Sequence, residues 1–215
     1  MSNIFLGIGV GPGIGLHTAI RFAREGFQPV LVSRSMANLR PLADTVRRET
    51  GRQAEIVALD ALDGRQIASL GERLGENVRV LHYNAAARRP LPLHESTLET
   101  LRDDIQVNIT GALAAVKVFS PQMIARKSGT ILLTGGGFAL SPSGEYLTLS
   151  IGKAGIRCMS RALFPEMAAH NVHIASLTVT RHIEPDTEEP REVADMFWNM
   201  HQQPAEAWTW EEKYP

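Results

Sequence analysis

Short, unbroken apolar runs punctuate this chain, and longer stretches with helical spacing separate them. IFLGIG (4–9), PVLVS (29–33), AEIVALD (54–60), VRVLHYN (78–84) and GTILLTG (129–135) are such runs, followed later by NVHIASLTV (171–179). None alternates apolar with polar residues, so each reads as a strand buried on both faces. Between them, GIGLHTAIRFAREG (13–26) and MANLRPLADTVRRETG (36–51) carry apolar residues at helical spacing and close on glycine. Further helices are expected near 63–74, across 97–127, from about 146 to 169 and over about 190–201. The tail AWTWEEKYP offers one more short strand. Strand–helix alternation of this kind predicts an α/β fold, a Rossmann-type doubly wound parallel sheet.

The chain has 215 residues, 44% of them hydrophobic, and contains no linker, repeat or low-complexity stretch. One domain spanning 1–215 is expected, with a short substrate region and an aromatic-rich tail over about 180–215. The formal net charge is -1, which gives no general attraction to nucleic acid or anionic membrane. No apolar run reaches the length of a membrane span. The start MSNIFLGIGV lacks a basic region and runs straight into glycines, so it reads as a first strand and not a signal peptide. Cys158 is the single cysteine; it favours a reducing compartment, here the cytoplasm, and its helical context favours buried packing. The acidic run Glu184 to Glu189 reads as a solvated loop. No His, Cys or Asp cluster has metal-ligand spacing.

The turn GVGPGIG, Gly9 to Gly15, joins the first strand to the first helix. Glycines there permit backbone angles closed to other residues and let a ligand approach the main chain. The following helix points unpaired N–H groups and its positive dipole end at the same place, which suits a phosphate.

With that turn spaced as Gly9-xxx-Gly13-Ile14-Gly15, the chain resembles the short-chain dehydrogenase/reductase family, in a divergent form. Further matches follow in order: LVSR (31–34), Asp60 closing IVALD, YNAA (83–86) with Asn84 and Ala85, Asn108 in QVNITG, and Lys153 in SIGKAGIR. The resemblance implies an oxidoreductase acting on a small carbonyl or alcohol, with Asp60 meeting the adenine and Asn84 and Ala85 beside the cofactor. It also implies a homodimer or homotetramer built on the helices near 105–127 and 146–169. At the end of the second strand Ser33 and Arg34 stand where an NAD-selecting protein carries an acid. Arginine and serine suit a 2′-phosphate, so NADP(H) is expected over NAD(H).

The family's catalytic set is a Ser, a Tyr and a Lys, with an Asn supporting a water chain. Lys153 and Asn108 are present. Leu149 stands four residues before Lys153, where the Tyr belongs, and Gly136 stands where the Ser belongs. The usual Pro-Gly after the sixth strand is replaced by Val179-Thr180. Tyr146 is the candidate substitute acid. Seven residues from Lys153, it falls within about 20° of the same helix face but about 10.5 Å away along the axis. It reaches the lysine only if the first turn is distorted or if Tyr146 precedes the helix. Thr134, Ser141, Ser143, Thr148 and Ser150 are further hydroxyls nearby, with Ser143 a candidate helix cap and Ser150 a candidate for back-bonding. Gly135 to Gly137 would open the pocket. His82 reads as a packed strand residue, and Arg181 and His182 as surface groups at the ligand-binding end of the sheet. Two readings stay open: an enzyme with an atypical acid, and a non-catalytic NADP(H)-binding protein acting as redox sensor or partner subunit.

Overall fold

The computed structural model describes residues 3–215 except Leu62. One parallel sheet of seven strands forms its centre, in the order β3-β2-β1-β4-β5-β6-β7. The strands are β1 (Ile4–Ile8), β2 (Gln28–Ser33), β3 (Glu55–Ala58), β4 (Val78–Tyr83), β5 (Gly129–Thr134), β6 (Val172–Val179) and β7 (Glu211–Tyr214). The helices are α1 (Ile14–Arg24), α2 (Met36–Thr50), α3 (Gly64–Leu74), α4 (Leu98–Ile105), α5 (Gly111–Ala125), α6 (Leu147–Ala169) and α7 (Glu189–Gln202). The doubly wound sheet expected from the apolar runs is present, and the tail supplies its last strand.

Neighbouring residues of each strand feed opposite cores. Phe5, Leu31, Leu132 and Leu177 pack with Phe22 of α1 and Phe197 of α7. Leu6, Val32, Leu133 and Ile174 pack with Phe119 of α5 and Ile156 of α6. Burial of both faces is why no strand alternates. Helix starts follow local chemistry: Ser35, Asp63 and Thr97 each accept a backbone N–H in the first turn of α2, α3 and α4. α2 ends on Gly51 at a left-handed φ of 73°.

The helix expected across 97–127 is interrupted. Between α4 and α5 lies a π-helical segment, Gln106–Thr110. It turns Asn108 inward, and the carbonyl of Val107 is satisfied by the Tyr83 hydroxyl at 2.7 Å. Such one-turn widenings depend on tertiary partners, so helical periodicity does not announce them. Gly152 lets α6 close against the widened turn: a Cβ there would lie 2.3 Å from Asn108 Cβ.

The aromatic tail covers the far end of the sheet. Trp198 meets Phe22 edge-on, and Trp208 stacks on His173 with ring centroids 4.9 Å apart. Glu211 of β7 accepts a two-pronged pair from Arg157 of α6 at 2.8 and 3.0 Å. Cys158, expected to be buried, is exposed on the outer face of α6, because Ile156, Met159 and Ser160 take the inward positions. Among the described residues, no helix is long and apolar enough to cross a membrane.

Candidate active site

Two cavities open along the carboxyl ends of the strands, where the strand order reverses beside β1 and where ligands bind in sheets of this type. The first, of about 540 Å³, is lined by the turn after β1, by Ser33 and Arg34 after β2, by Asp60 after β3 and by 85–90 after β4. The second, of about 650 Å³, is lined by the glycines after β5, by Leu149 and Lys153 of α6, and by 179–183 after β6. Ala86 and Arg88 line both.

The glycine turn holds its shape by close backbone contact. Gly9 has φ +82° and is pressed so near the chain after β4 that a Cβ would lie 2.2 Å from the Ala85 nitrogen. Gly15 lies against Val10 and Asn84, while no atom lies within 4 Å of a Cβ built at Gly11. α1 begins at Ile14 with Gly13 as its N-cap and no side chain capping its first N–H groups. That helix end sits between residues lining both cavities, Gly11 and Ile14. These features fit a dinucleotide: open backbone beside a helix N-terminus for a pyrophosphate, and a serine and an arginine at the end of β2 for a 2′-phosphate.

Of the residues singled out from sequence, Gly9, Ser33, Arg34, Asp60 and Ala85 line the first cavity, and Ile14, Asn84 and Lys153 line the second. Gly13 and Gly15 line neither cavity: Gly13 is the N-cap of α1, and Gly15 packs against Val10 and Asn84. Asn108 is 3% exposed and lies beneath the floor. Its amide clasps Ala87 from both sides, accepting from the Ala87 N–H at 2.7 Å and donating to its carbonyl at 3.2 Å.

A half-buried chain of hydrogen bonds forms the floor. Lys153 Nζ donates to the Thr134 carbonyl at 2.7 Å. The Thr134 hydroxyl donates to Asn84 Oδ1 at 2.9 Å, and Asn84 Nδ2 donates to the Gly9 carbonyl at 2.9 Å. His82 Nε2 lies 2.9 Å from the Thr134 oxygen. Because that hydroxyl spends its proton on Asn84, His82 must donate to it from Nε2. Its Nδ1 is left without a partner. Burial first, and the Lys153 charge second, push the His82 pKa down to about 3. Burial likewise brings Lys153 down to about 8.

Leu149 and Gly136 flank the lysine as the sequence implies. A Cβ at Gly136 would meet Lys153 Cγ, Cδ and Cε at 3.2–3.3 Å. Tyr146 is the residue just before α6. Its ring stacks on Phe138 at 5.3 Å, and the Arg88 guanidinium sits over its face at 5.6 Å. Phe138 and Arg88 line the second cavity; Tyr146 itself stands behind them.

The other hydroxyls are largely committed elsewhere. Thr148 donates to buried Asp104 at 2.9 Å, and Ser150 back-bonds to the Tyr146 carbonyl at 2.9 Å. Ser143, a candidate cap, does not cap α6; its N–H donates to the Ser150 hydroxyl at 3.0 Å. Only Ser141 of this group lines the second cavity without such an internal bond.

Arg88, Phe138 and Asp104 had escaped attention in the sequence. The signal for the first was the basic pair Arg88-Arg89 immediately after the motif that closes β4.

The model of the short chain dehydrogenase family matches residues 3–186. A very-long-chain 3-oxoacyl-CoA reductase of Aspergillus oryzae is 29% identical, over 77% of this chain and 50% of its own length. The human inactive hydroxysteroid dehydrogenase-like protein 1 is 32% identical, over 79% of this chain and 52% of its own. The chain thus spans about half the length of the curated relatives it matches. Among solved structures, a metagenomic short-chain oxidoreductase in complex with NADP superposes with a TM-score of 0.87 at 22% identity, covering 99% of this chain and 97% of the other. Matched by the family model over residues 3–186, most of its length, this chain belongs to the short-chain dehydrogenase family.

Proposed function

We propose that the protein is an NADP(H)-dependent oxidoreductase that interconverts a small carbonyl compound and its alcohol through an atypical centre. One observation carries the reading: a cavity lined by the glycine turn, Ser33, Arg34 and Asp60 adjoins a second cavity whose floor holds Lys153. In this reading Gly9, Gly13, Ile14 and Gly15 present backbone to the pyrophosphate, and Ser33 and Arg34 bind the 2′-phosphate. Asp60 meets the adenine, Ala85 and Asn84 border the cofactor, and Lys153 holds the nicotinamide ribose. Bound NADPH would supply a hydride to the carbonyl carbon, leaving the carbonyl oxygen to take up a proton.

Two groups compete to deliver that proton. Lys153 lines the cavity, and a pKa near 8 lets its ammonium give up a proton close to neutral pH. Tyr146, the substitute expected from sequence, stands behind Phe138 and Arg88. We favour Lys153 as the acid, with Asn108 holding the Ala87 backbone and thereby the wall between the cavities. The names of the relatives, 3-oxoacyl-CoA reductase and hydroxysteroid dehydrogenase, refer to ketones and secondary alcohols, which supports the carbonyl–alcohol assignment. Leu113 of α5 and Ile151 of α6 are exposed, which supports a homo-oligomer joined through those helices.

A second reading is favoured by Leu149 and Gly136: NADP(H) binding without turnover, as a sensor or partner subunit. The relative named inactive belongs to the same neighbourhood of sequences. The test is a fluorescence titration with NADPH followed by a panel of ketones, aldehydes and quinones. Binding with turnover supports the enzyme; Lys153→Met and Tyr146→Phe then identify the acid by which one abolishes turnover. Binding with no turnover across the panel favours the sensor. Absence of NADPH binding overturns both.

A further inference from the structure

The second cavity is one-sided in charge. Arg88, Lys153, Arg181 and His182 line it, and among the described residues no carboxylate does. Three of these groups are already occupied. Lys153 is bonded to the floor. Arg181 pairs with Glu189 at 3.2 Å and donates to the Tyr214 hydroxyl at 3.1 Å. His182 Nε2 lies 3.1 Å from Glu184.

Arg88 differs. No described carboxylate pairs with it; its contacts are His182 Nδ1 at 3.3 Å and the face of Tyr146. For Arg88 to donate to Nδ1, that nitrogen must be unprotonated, so the His182 proton lies on Nε2, facing Glu184. Glu184, His182 and Arg88 therefore form a chain in which the carboxylate orients the imidazole and the imidazole orients the guanidinium. Tyr146, itself stacked on Phe138, supports the guanidinium from below. An arginine held in place on neutral supports, at the edge of a largely apolar cavity, keeps most of its fork free for a planar anion.

We propose that the second cavity selects carbonyl compounds bearing a carboxylate or comparable anionic group, and that Arg88 is the residue that binds this group. Tyr146 and His182 are positioning residues for Arg88. The proposal rests on the oxidoreductase reading for the carbonyl, but the anion preference is a binding property that can be read without turnover.

The test uses matched probes: 4-acetylbenzoate and 4-acetylbenzamide, titrated calorimetrically into the full chain, free and saturated with NADP⁺. The expected result is a preference for the acid of about 10- to 100-fold, the worth of a charge-assisted hydrogen bond. Arg88→Met should reduce that preference to near unity on the free chain, where the place of Arg88 beside the first cavity has no bearing; an unchanged preference there overturns the proposal. Tyr146→Leu should weaken the preference and Tyr146→Phe should keep it, because only the first removes the aromatic support. Arg88 is exposed, so its replacement leaves the core intact, and His182→Leu provides a second variant. Equal binding of acid and amide by the unaltered protein, with or without cofactor, overturns the proposal. So does an Arg88→Met variant that loses NADPH affinity while keeping its acid preference, which would assign Arg88 to the cofactor. Loss of NADPH binding by the unaltered protein overturns the oxidoreductase reading instead, and the acid–amide comparison on the free chain still decides the anion preference.

Discussion

The two cavities share a wall and one edge of the sheet, yet they keep the family pattern to different degrees. Gly9, Ser33, Arg34, Asp60 and Ala85, which the resemblance assigns to a dinucleotide, all line the first. Around the second, Leu149 and Gly136 take the positions for which the resemblance leads one to expect tyrosine and serine, and Arg88 lies over Tyr146. The difference follows from what each does. Binding phosphate draws on backbone N–H groups and a helix end, which are fixed by the fold. Proton delivery depends on one or two side chains, which can change while the fold stays.

Gly9 offers the most severe challenge to the first cavity. Gly9→Ala places a Cβ against the Ala85 backbone at 2.2 Å and asks alanine to hold φ +82°. It should cost about 2 kcal/mol or more in stability and abolish measurable NADPH binding. Thermal unfolding and a fluorescence titration read both, and unchanged NADPH affinity would break the assignment of the first cavity. Next comes Lys153→Met. If Lys153 is the acid, turnover should fall by about 100-fold or more, with a smaller loss of cofactor affinity; steady-state kinetics beside the titration separate the two. Equal losses in both would blur the division between a binding half and a chemical half. A smaller effect is expected of Arg34→Glu: NADPH affinity down by about 10- to 100-fold with NADH spared, measured as the ratio of the two dissociation constants.

Acidity gives the gentlest probe. Burial pushes His82 down to about 3 and His201 to about 4, whereas an exposed histidine titrates near 6.5. Between those values the unfolded chain binds protons that the folded chain does not, so stability should fall as pH drops from about 6.5 toward 4. Lys153 acts over another range: with a folded pKa near 8 and an unfolded one near 10.4, it adds stability as pH rises between them. Carbonyl reduction should decline above about pH 8 as Lys153 loses its proton. Melting temperatures and rates across pH 4 to 10 test both, and a flat profile at the acid end would mean that His82 reaches water.

Much of this molecule was legible before any coordinates. Unbroken apolar runs announce strands buried on both faces, and Gly13 and Gly51 stand close to the start of α1 and the end of α2. The π turn at Gln106–Thr110 was not legible, since it exists because Asn108 clasps Ala87 and Tyr83 caps Val107, contacts across about 20 residues or more of chain. Cys158 was misjudged because α6 is apolar on several sides, and only its packing decides which side faces in. Leu149 and Gly136 are the residues from which the sequence leads one to expect an altered centre; the supports of Arg88 follow only from the fold, in which Tyr146 precedes α6 and meets a loop from β4.

The three glycines after β5 also bear on how this site can change by single mutation. Each is leaned on by a different neighbour: Gly135 by the carbonyl of Leu177, Gly136 by the stem of Lys153, and Gly137 by the carbonyl of Thr180, all within 2.9–3.3 Å of where a Cβ would stand. A Cβ at Gly136 stands 3.2–3.3 Å from the stem of Lys153, so a serine there asks that flexible side chain to shift by a few tenths of an ångström. Placing the family's usual hydroxyl at Gly136 is therefore a single substitution, and its cost is set by how far the Lys153 stem can give. Gly135 and Gly137 are leaned on by backbone, which yields less readily than a lysine stem, so of the three glycines Gly136 is the one through which this site is most open to change.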